Sequence, residues 1–412
     1  KRQMVDGLFV SNLIGTDALS AVNLTAPVIS LVTAISTMLA TGGSAVIMRK
    51  AGQQKAQEAN EDFTFLIAVN VAVGLIMSGL GYLIMDRLFE RMSLSPAVAG
   101  YCRIYLSRYL IFTVPILLMN NFTLYMIAAG KSALSMVCSI TGGILNIVLD
   151  YVFISILDMG IAGAAIATGL GYSVTAVAGL VIFSKKDCLL HFVKPVCRIR
   201  TLVSAASNGS SEMAAALVTG IVTMMFNWTM LKYVGENGVA AITIIMYVLM
   251  FATSLYTGYS YGVAPMISFY YGEQNQDKLK KLIRLSMKII GFIGAAALMV
   301  SLAVTEPLVA IFARPDNPVY DLAVTGNRIC SSALVFIGFN VFASGMFTAL
   351  SNGLVSAVLA FSRSFVFMVA AMLILPAILG VTGAWLATPA AEAAAFLLSA
   401  VMFIKYRKKY QY

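Results

Sequence analysis

The chain has 412 residues, of which 60% are hydrophobic and only 11% are charged. This composition excludes an ordinary soluble globular domain, in which about a quarter of the residues are charged. Lys and Arg outnumber Asp and Glu by 28 to 18, giving a net charge of +10, and there is a single histidine. One histidine leaves little material for a His-based metal centre or a Ser-His triad, and the sequence contains no nucleotide-binding fingerprint. We therefore expect no catalytic residues and no enzymatic activity.

Apolar runs long enough to cross a bilayer as helices occur eleven times along the chain. They fall near residues 19–47, 63–88, 104–128, 132–157, 161–183, 201–232, 239–271, 282–312, 321–349, 354–378 and 381–404. A further run, at residues 4–14, is short. These runs predict an all-α polytopic membrane protein, a twelve-helix bundle in which the first helix is truncated.

The basic residues fall mainly on one side of the predicted membrane. If the runs are threaded alternately from a cytoplasmic N-terminus, the inner connections collect most of them, including Lys50, Lys131, Lys185, Arg284 and Lys408. The outer connections hold few. This distribution follows the positive-inside rule, which predicts that both termini are cytoplasmic. The net charge therefore indicates orientation in a plasma membrane and not a nucleic-acid partner.

The second half of the chain repeats the first at a constant offset of 220 residues. Identities at this offset include Gly15/Gly235, Gln54/Gln274, Asn120/Asn340, Gly160/Gly380, Gly163/Gly383 and Thr168/Thr388. Each copy holds six spans, so the copies have the same orientation and a pseudo-twofold axis along the membrane normal. We predict an N-lobe at residues 1–183 (helices 1–6), a cytoplasmic surface linker at 184–200 and a C-lobe at 201–412 (helices 7–12).

The repeat has two further consequences. Two like lobes that face each other leave a cleft of the kind in which transporters bind their substrates. At the same offset, Lys1 aligns with Ile221, well inside the seventh helix. We therefore expect that about twenty residues of the first helix are missing from the start of the chain.

Asn146 and Asp150 interrupt an otherwise apolar run. Because they are four residues apart, they share one face of a helix. A carboxylate inside a membrane span is costly and is functional by default. Counted from the outer ends of their helices, Asp150 and Thr168 both lie roughly 12 Å deep. Asp6 lies at a similar depth, and we expect these polar groups to converge.

Several sequence motifs match a known family: VDGLFVSNLIG, RKAGQQKAQEA, GKSALS, NIVLD and MGIAGAAIAT. Over essentially its whole length, the chain resembles the bacterial multidrug and toxic compound extrusion (MATE) antiporters. The resemblance implies export of organic, often cationic drugs or toxic compounds by alternating access, in exchange for protons or sodium ions. It also implies a cation site formed by Asp6, Asn146, Asp150 and Thr168, with no cofactor and no metal other than sodium.

The C-lobe does not carry a second copy of this site. The equivalents of Asp6, Asn146 and Asp150 are Phe226, Val366 and Ala370. The main polar group of this lobe is Glu212. It is either a substrate-facing carboxylate or a second coupling site, or else a residue that snorkels toward the inner boundary or pairs with a nearby hydroxyl. Asn227, on the same helix, is a further candidate. Glu392 is expected to face a packed interface.

Two alternative functions stay open. A flippase for lipid-linked precursors, from the same broad superfamily, would need a strongly cationic cleft, whereas this chain has few interior Arg or Lys residues. A degenerate, non-transporting membrane paralogue would agree with the truncated first helix. As partners we expect a small organic molecule and the lipid bilayer, with the protein acting as a monomer.

Overall fold

The computed structural model describes residue 14 and residues 16–91, 95–310 and 313–411. Asp6 lies outside the described residues. Nearly all of the described chain is helical, and no strand occurs within it. The predicted all-α class is confirmed.

The helices follow one another with short connections. In the first half they are α1 (Thr16–Gly52), α2 (Ala56–Arg91), α3 (Pro96–Ile111), α4 (Thr113–Ala128), α5 (Ser132–Asp150), a π-helical segment (Tyr151–Ile156) and α6 (Gly160–Phe183). In the second half they are α7 (Ile199–Tyr233), α8 (Glu236–Gly272), α9 (Gln276–Ala303), α10 (Thr305–Ala310), α11 (Pro318–Cys330), a 3-10 turn (Ser331–Ala333), α12 (Leu334–Ala349), α13 (Gly353–Phe361), a second π-helical segment (Ser362–Phe367) and α14 (Met368–Tyr410).

Within the described residues, nine helical stretches are long and apolar enough to cross a membrane. The number is ten if α3 and α4, which are bent by 52° against each other, form one broken span. The last stretch, Gly353–Tyr410, contains two of the predicted runs, joined where the backbone is non-helical at Gly380. The chain is a polytopic helical membrane protein.

The backbone repeats itself at the same offset as the sequence. Gln54 and Gln274, 220 residues apart, both adopt a left-handed conformation, with φ of 60° and 57°. Gly160 and Gly380 do so as well, with φ of 55° and 58°. Glycine adopts this conformation without steric cost, so it suits the point where a span ends and the next begins.

The structure divides into two compact units. The first comprises Lys1–Ala51 and Lys55–Gly209, and the second comprises Gly52–Gln54 and Ser210–Tyr412. The division falls within α7. Each unit has its own apolar core, in the first centred on residues such as Phe122 and Leu117 and in the second on Phe347 and Trp385.

The segment between α6 and α7, predicted to be a surface linker, is anchored to the first unit. The side chain of Leu190 is fully buried, and the Phe192 ring stacks on Phe63 of α2 at 5.2 Å. The backbone N–H of His191 donates to Asn60 Oδ1 at 3.0 Å, and that of Val193 donates to Thr64 Oγ1 at 3.1 Å. These contacts hold the segment because α2 satisfies its backbone groups and covers its apolar residues.

A charge cluster fixes the end of this segment. Asp62, whose side chain is fully buried, accepts from Lys50 and from Arg198 Nη1, the latter at 3.0 Å. Arg198 Nη2 also contacts Glu61 Oε2 at 2.6 Å. The hydrogen bond to Asp62 is the main cause that raises the pKa of the Arg198 guanidinium above its ordinary value. Asp62 is therefore the acceptor that ties α1, α2 and the start of α7 together.

We expect Asp62→Asn to destabilise the first unit by about 2 kcal/mol, because two cations lose a buried partner. Limited proteolysis with trypsin should then cleave faster after Lys185 and Lys186, since the segment before Arg198 is no longer held. Asp187→Asn is the matched control, because Asp187 lies exposed in the same segment. Equal cleavage rates in wild type and Asp62→Asn would contradict this role.

Candidate functional site

One face of α5 carries only small and polar side chains. Its buried residues are Ser135, Cys138, Gly142, Asn146 and Asp150, spaced three or four apart. The opposite face exposes large apolar side chains, namely Ile140, Ile144, Ile147 and Val148. For a helix in lipid this is the expected arrangement, because apolar residues face the hydrocarbon and polar residues face the protein.

Asn146 and Asp150 are in direct contact. Both are completely buried, and Asn146 Nδ2 donates to Asp150 Oδ2 at 3.3 Å. Asn146 Oδ1 is also buried and has no hydrogen-bond partner among the described residues. A carboxylate and an adjacent amide oxygen therefore face inward from α5.

Helix α6 packs closely against this face. A Cβ atom on Gly171 would lie 2.7 Å from the carbonyl oxygen of Gly142 and 3.0 Å from Asn146 Cβ. The lack of a side chain at Gly171 therefore permits the approach. Because α5 and α6 are consecutive spans that run in opposite directions, Thr168 lies one turn nearer than Gly171 to the connection between them, level with Asp150.

Thr168 is buried, and its hydroxyl donates to the carbonyl oxygen of Ala164 at 3.0 Å. The hydroxyl oxygen keeps lone pairs that can accept a hydrogen bond or bind a cation. Of the four residues in the predicted cation site, the structure brings Asn146, Asp150 and Thr168 onto the facing surfaces of α5 and α6. The fourth, Asp6, is outside the described residues.

A change of helix type follows Asp150 immediately. Residues Tyr151–Ile156 are π-helical, and Leu157 N–H bonds to the carbonyl oxygen of Val152 at 2.9 Å. Single π-helical turns occur frequently at functional sites and are less regular than the α-helix. The carboxylate therefore sits where the backbone of this span changes its winding.

The sequence reasoning missed Thr175, which extends the polar face of α6. It lies seven residues after Thr168 and is fully buried, and its hydroxyl has no hydrogen-bond partner among the described residues. At helical rise it lies roughly 10 Å further along the helix. Thr175 could have been found from the sequence, because its seven-residue spacing from Thr168 places both side chains on one face of a helix.

In the second unit, the positions equivalent to the cation site have other roles. Phe226, the equivalent of Asp6, belongs to the apolar core. Val366 and Ala370, the equivalents of Asn146 and Asp150, are exposed. The second unit therefore does not repeat the chemistry of the predicted cation site.

The two candidate residues on α7 do not form one site. Glu212 Oε2 accepts a hydrogen bond from the Tyr261 hydroxyl at 3.3 Å. Asn227 is half-buried and lies fifteen residues further along the helix, a separation of roughly 22 Å. Glu212 is therefore paired with Tyr261, and Asn227 lies too far along the helix to share that contact.

The second unit also contains a largely buried ion pair that the sequence reasoning did not identify. Arg363 Nε donates to both oxygens of Glu392, at 2.8 and 3.0 Å. Asn340 Nδ2 donates to Glu392 Oε2 at 2.8 Å, and Ser399 donates to Asn340 Oδ1 at 3.1 Å. Glu392 does face a packed interface, and its carboxylate accepts three hydrogen bonds there from two donors, Arg363 and Asn340. The lone Arg within the tenth apolar run, residues 354–378, was the signal.

A chain of hydroxyl groups lies next to this pair. Ser356 Oγ contacts the hydroxyls of Ser344 at 3.0 Å, Thr348 at 2.7 Å and Ser211 at 2.9 Å. Ser211 precedes Glu212, and Ser356 lies seven residues before Arg363. Helices α7, α12 and α13 are thus joined by hydrogen bonds between buried hydroxyls.

The comparison with protein families gives a match over most of the chain. The family model described as MatE matches residues 2–152 and, a second time, residues 213–373. Two matches of one model agree with the internal repeat.

Curated relatives and solved structures match over nearly the full length. The multidrug export protein MepA of Staphylococcus haemolyticus is 24% identical over 401 residues, which are 97% of this chain and 87% of the relative. A MepA of Staphylococcus aureus (strain bovine RF122 / ET3-1) is 22% identical over 400 residues, again 97% and 87%. A crystal structure of MATE in complex with MaL6 has a TM-score of 0.94 at 23% identity, covering 100% of this chain and 92% of that one. The outward-facing conformation of a multidrug resistance MATE family transporter has a TM-score of 0.93 at 23% identity, with the same coverage. These structures share the fold.

We expect Gly171→Ala to force α5 and α6 apart and to destabilise the protein by about 2 kcal/mol, because the new Cβ overlaps Gly142 O and Asn146. The thermal unfolding midpoint in detergent measures this. Gly79→Ala is the control, since a Cβ there meets no atom within 4 Å. A midpoint for Gly171→Ala as high as that of the control would mean that the two helices do not pack as described.

Arg363→Met should lower the free energy of unfolding by about 3 kcal/mol, because it leaves the Glu392 carboxylate buried without its cation. The double variant Arg363→Met/Glu392→Gln should recover most of this loss, since Asn340 can still bond to the Gln side chain. Thermal unfolding of the two single variants and the double variant gives the coupling. Additive losses would show that the pair does not act as a unit.

Proposed function

The chain belongs to the MATE family, and from this premise we propose that it exports organic, cationic and amphipathic compounds across the plasma membrane in exchange for protons or sodium ions. The relatives named as multidrug export proteins support the export of drugs. We further propose that the protein works as a monomer with both termini in the cytoplasm.

A single observation carries the proposal: a carboxylate and an amide lie fully buried inside a membrane span, facing a second span that presents a hydroxyl. A buried polar cluster of this kind costs stability, so a functional role is its default explanation. Asp150, Asn146 and Thr168 supply four oxygen atoms at one level of α5 and α6. We propose that this cluster, together with Asp6, is the coupling site.

The oxygen atoms suit either coupling ion. Sodium is a hard cation and takes carboxylate, amide and hydroxyl oxygens. Asn146 Oδ1 has no partner among the described residues, so it is available to a cation. A proton would instead reside on the carboxylate of Asp150, because the amide of Asn146 and the hydroxyl of Thr168 do not take up a proton near neutral pH. We therefore propose a monovalent cation at this site and leave its identity to experiment.

Coupling requires that the cation and the drug weaken each other's binding. By linkage, the effect is reciprocal. The π-helical segment that starts at Tyr151 directly after Asp150 is a place where binding of the cation can change the winding of α5 and so move the helix. We propose that this local change transmits occupancy of the site to the rest of the first unit.

Glu212 is the corresponding acidic group of the second unit. It is held by the Tyr261 hydroxyl, and we propose that it binds the cationic group of the substrate or serves as a second coupling site. Asn227, which is roughly 22 Å away along α7, would act separately, as a polar contact for substrate.

The flippase alternative gains no support from the second unit. An anionic lipid-linked precursor would need cationic side chains that are available to bind it. The interior arginine of this unit, Arg363, is instead neutralised by Glu392 at 2.8 Å.

The proposal is tested by transport in proteoliposomes that contain the full-length protein. A gradient of a cationic drug should drive the opposite movement of protons or of sodium, and varying pH and sodium separately identifies the ion. In Asp150→Asn, ion flux should fall at least about a hundredfold, because the neutral amide binds neither a proton nor sodium in the required way.

Asp158→Asn is the control for this experiment. It makes the same chemical change in an exposed turn eight residues away, where the backbone is left-handed with φ of 49° and Asn is readily accepted. Its flux should equal that of wild type. If Asp150→Asn also transports like wild type, the cluster on α5 and α6 is structural and the coupling ion binds elsewhere.

A further inference from the structure

A cavity of about 240 Å³ opens at one end of the second unit, between α9 and α14. Its lining is half basic and half apolar, and consists of Lys280, Ile283, Arg284, Phe403, Ile404 and Arg407. We call it the basic pocket. Lys280 and Arg284 are four residues apart on α9, and Phe403 and Arg407 are four apart on α14, so each helix turns one face to it.

The three cations of the basic pocket are not neutralised within the described chain. Lys280, Arg284 and Arg407 are exposed and form no ion pair with a described acidic residue. Two of their basic neighbours, by contrast, have partners. Lys278 pairs with Glu273 at 3.7 Å, and Lys409 lies 5.2 Å from the centre of the Tyr410 ring. Like charges at this spacing on a helix destabilise it slightly, so a bound anion would be favourable.

The position of the pocket along α14 is that of a membrane interface. Leu397, Val401 and Ile404 form an exposed apolar stripe with helical spacing, and Ile404 is 76% exposed. Directly after this stripe come the basic residues of the C-terminal turn, Arg407, Lys408 and Lys409. A helix that passes from exposed apolar to basic residues passes from hydrocarbon to headgroups.

We propose that the basic pocket binds an anionic phospholipid. The phosphate of the lipid contacts Lys280, Arg284 and Arg407. The start of one of its acyl chains lies against Ile283, Phe403 and the exposed apolar stripe on α14. Basic pockets between membrane helices are suited to anionic headgroups because each cation attracts the phosphate and the apolar wall covers the chain. This binding site is independent of the transport cycle proposed above.

The test is a titration of the purified full-length protein in dodecyl maltoside with phosphatidylglycerol, with the thermal midpoint and native mass spectrometry as readouts. Phosphatidylglycerol should raise the midpoint and remain bound, whereas phosphatidylcholine should do neither. Arg284→Gln/Arg407→Gln should weaken the apparent affinity about 30-fold, because two of the three cations are lost. Lys280→Gln alone should weaken it about fivefold.

Lys281→Gln/Lys408→Gln is the matched control. Both lysines are exposed at the same end of the unit but do not line the pocket, so this pair should bind phosphatidylglycerol like wild type. An equal loss in the control pair would overturn the proposal, because surface charge alone would then explain binding. Equal stabilisation by phosphatidylcholine, or by inorganic phosphate at the same concentration, would also overturn it.

Discussion

Polar groups in the spans must find partners within the protein, because hydrocarbon offers none, and the internal contacts of the structure follow from this constraint. Asn70 and Asn121 illustrate it most simply. They are fully buried on neighbouring helices, and each amide donates to the other, at 3.3 and 2.8 Å. The same constraint turns the polar face of α5 toward α6 and makes Gly171 necessary for close approach. A carboxylate buried inside a span, such as that of Asp150, is costly, and this cost is what gives it functional meaning.

The two halves of the chain provide different partners for their buried polar groups. Around α5 and α6 the polar groups are a carboxylate, amides and hydroxyls, which suit an ion supplied from outside. In the second unit, the carboxylate of Glu392 pairs with a cation of the chain itself, Arg363, and also accepts a hydrogen bond from Asn340. An internal pair of this kind is fixed, whereas a site for a mobile ion can be filled and emptied. We therefore see the first unit as the half suited to coupling.

The basic residues, which outnumber the acidic ones, have different roles in the structure. Lys50 and Arg198 neutralise Asp62 and anchor the segment between α6 and α7. Arg363 neutralises a buried carboxylate. Lys280, Arg284 and Arg407 are exposed around a cavity, at the level where an apolar stripe ends. The basic residues behind the net charge of +10 thus have different roles. Some stabilise the fold by pairing with buried carboxylates, and others are exposed where they can contact the membrane.

The sequence by itself determined the membrane class, the spans, the repeat and the inward face of α5, because hydrophobicity, helical spacing and the cost of a buried carboxylate are local properties. Only the tertiary structure decided which residues pair across the chain. Arg363 and Glu392 are 29 residues apart, and Arg198 and Asp62 are 136 apart. In the second half it also decided which face of the span at residues 354–378 points inward. Val366 and Ala370 lie within or just after a π-helical segment and are exposed, although their equivalents Asn146 and Asp150 are buried. One wider helical turn rotates every later side chain, and no composition or spacing rule reveals where that turn occurs.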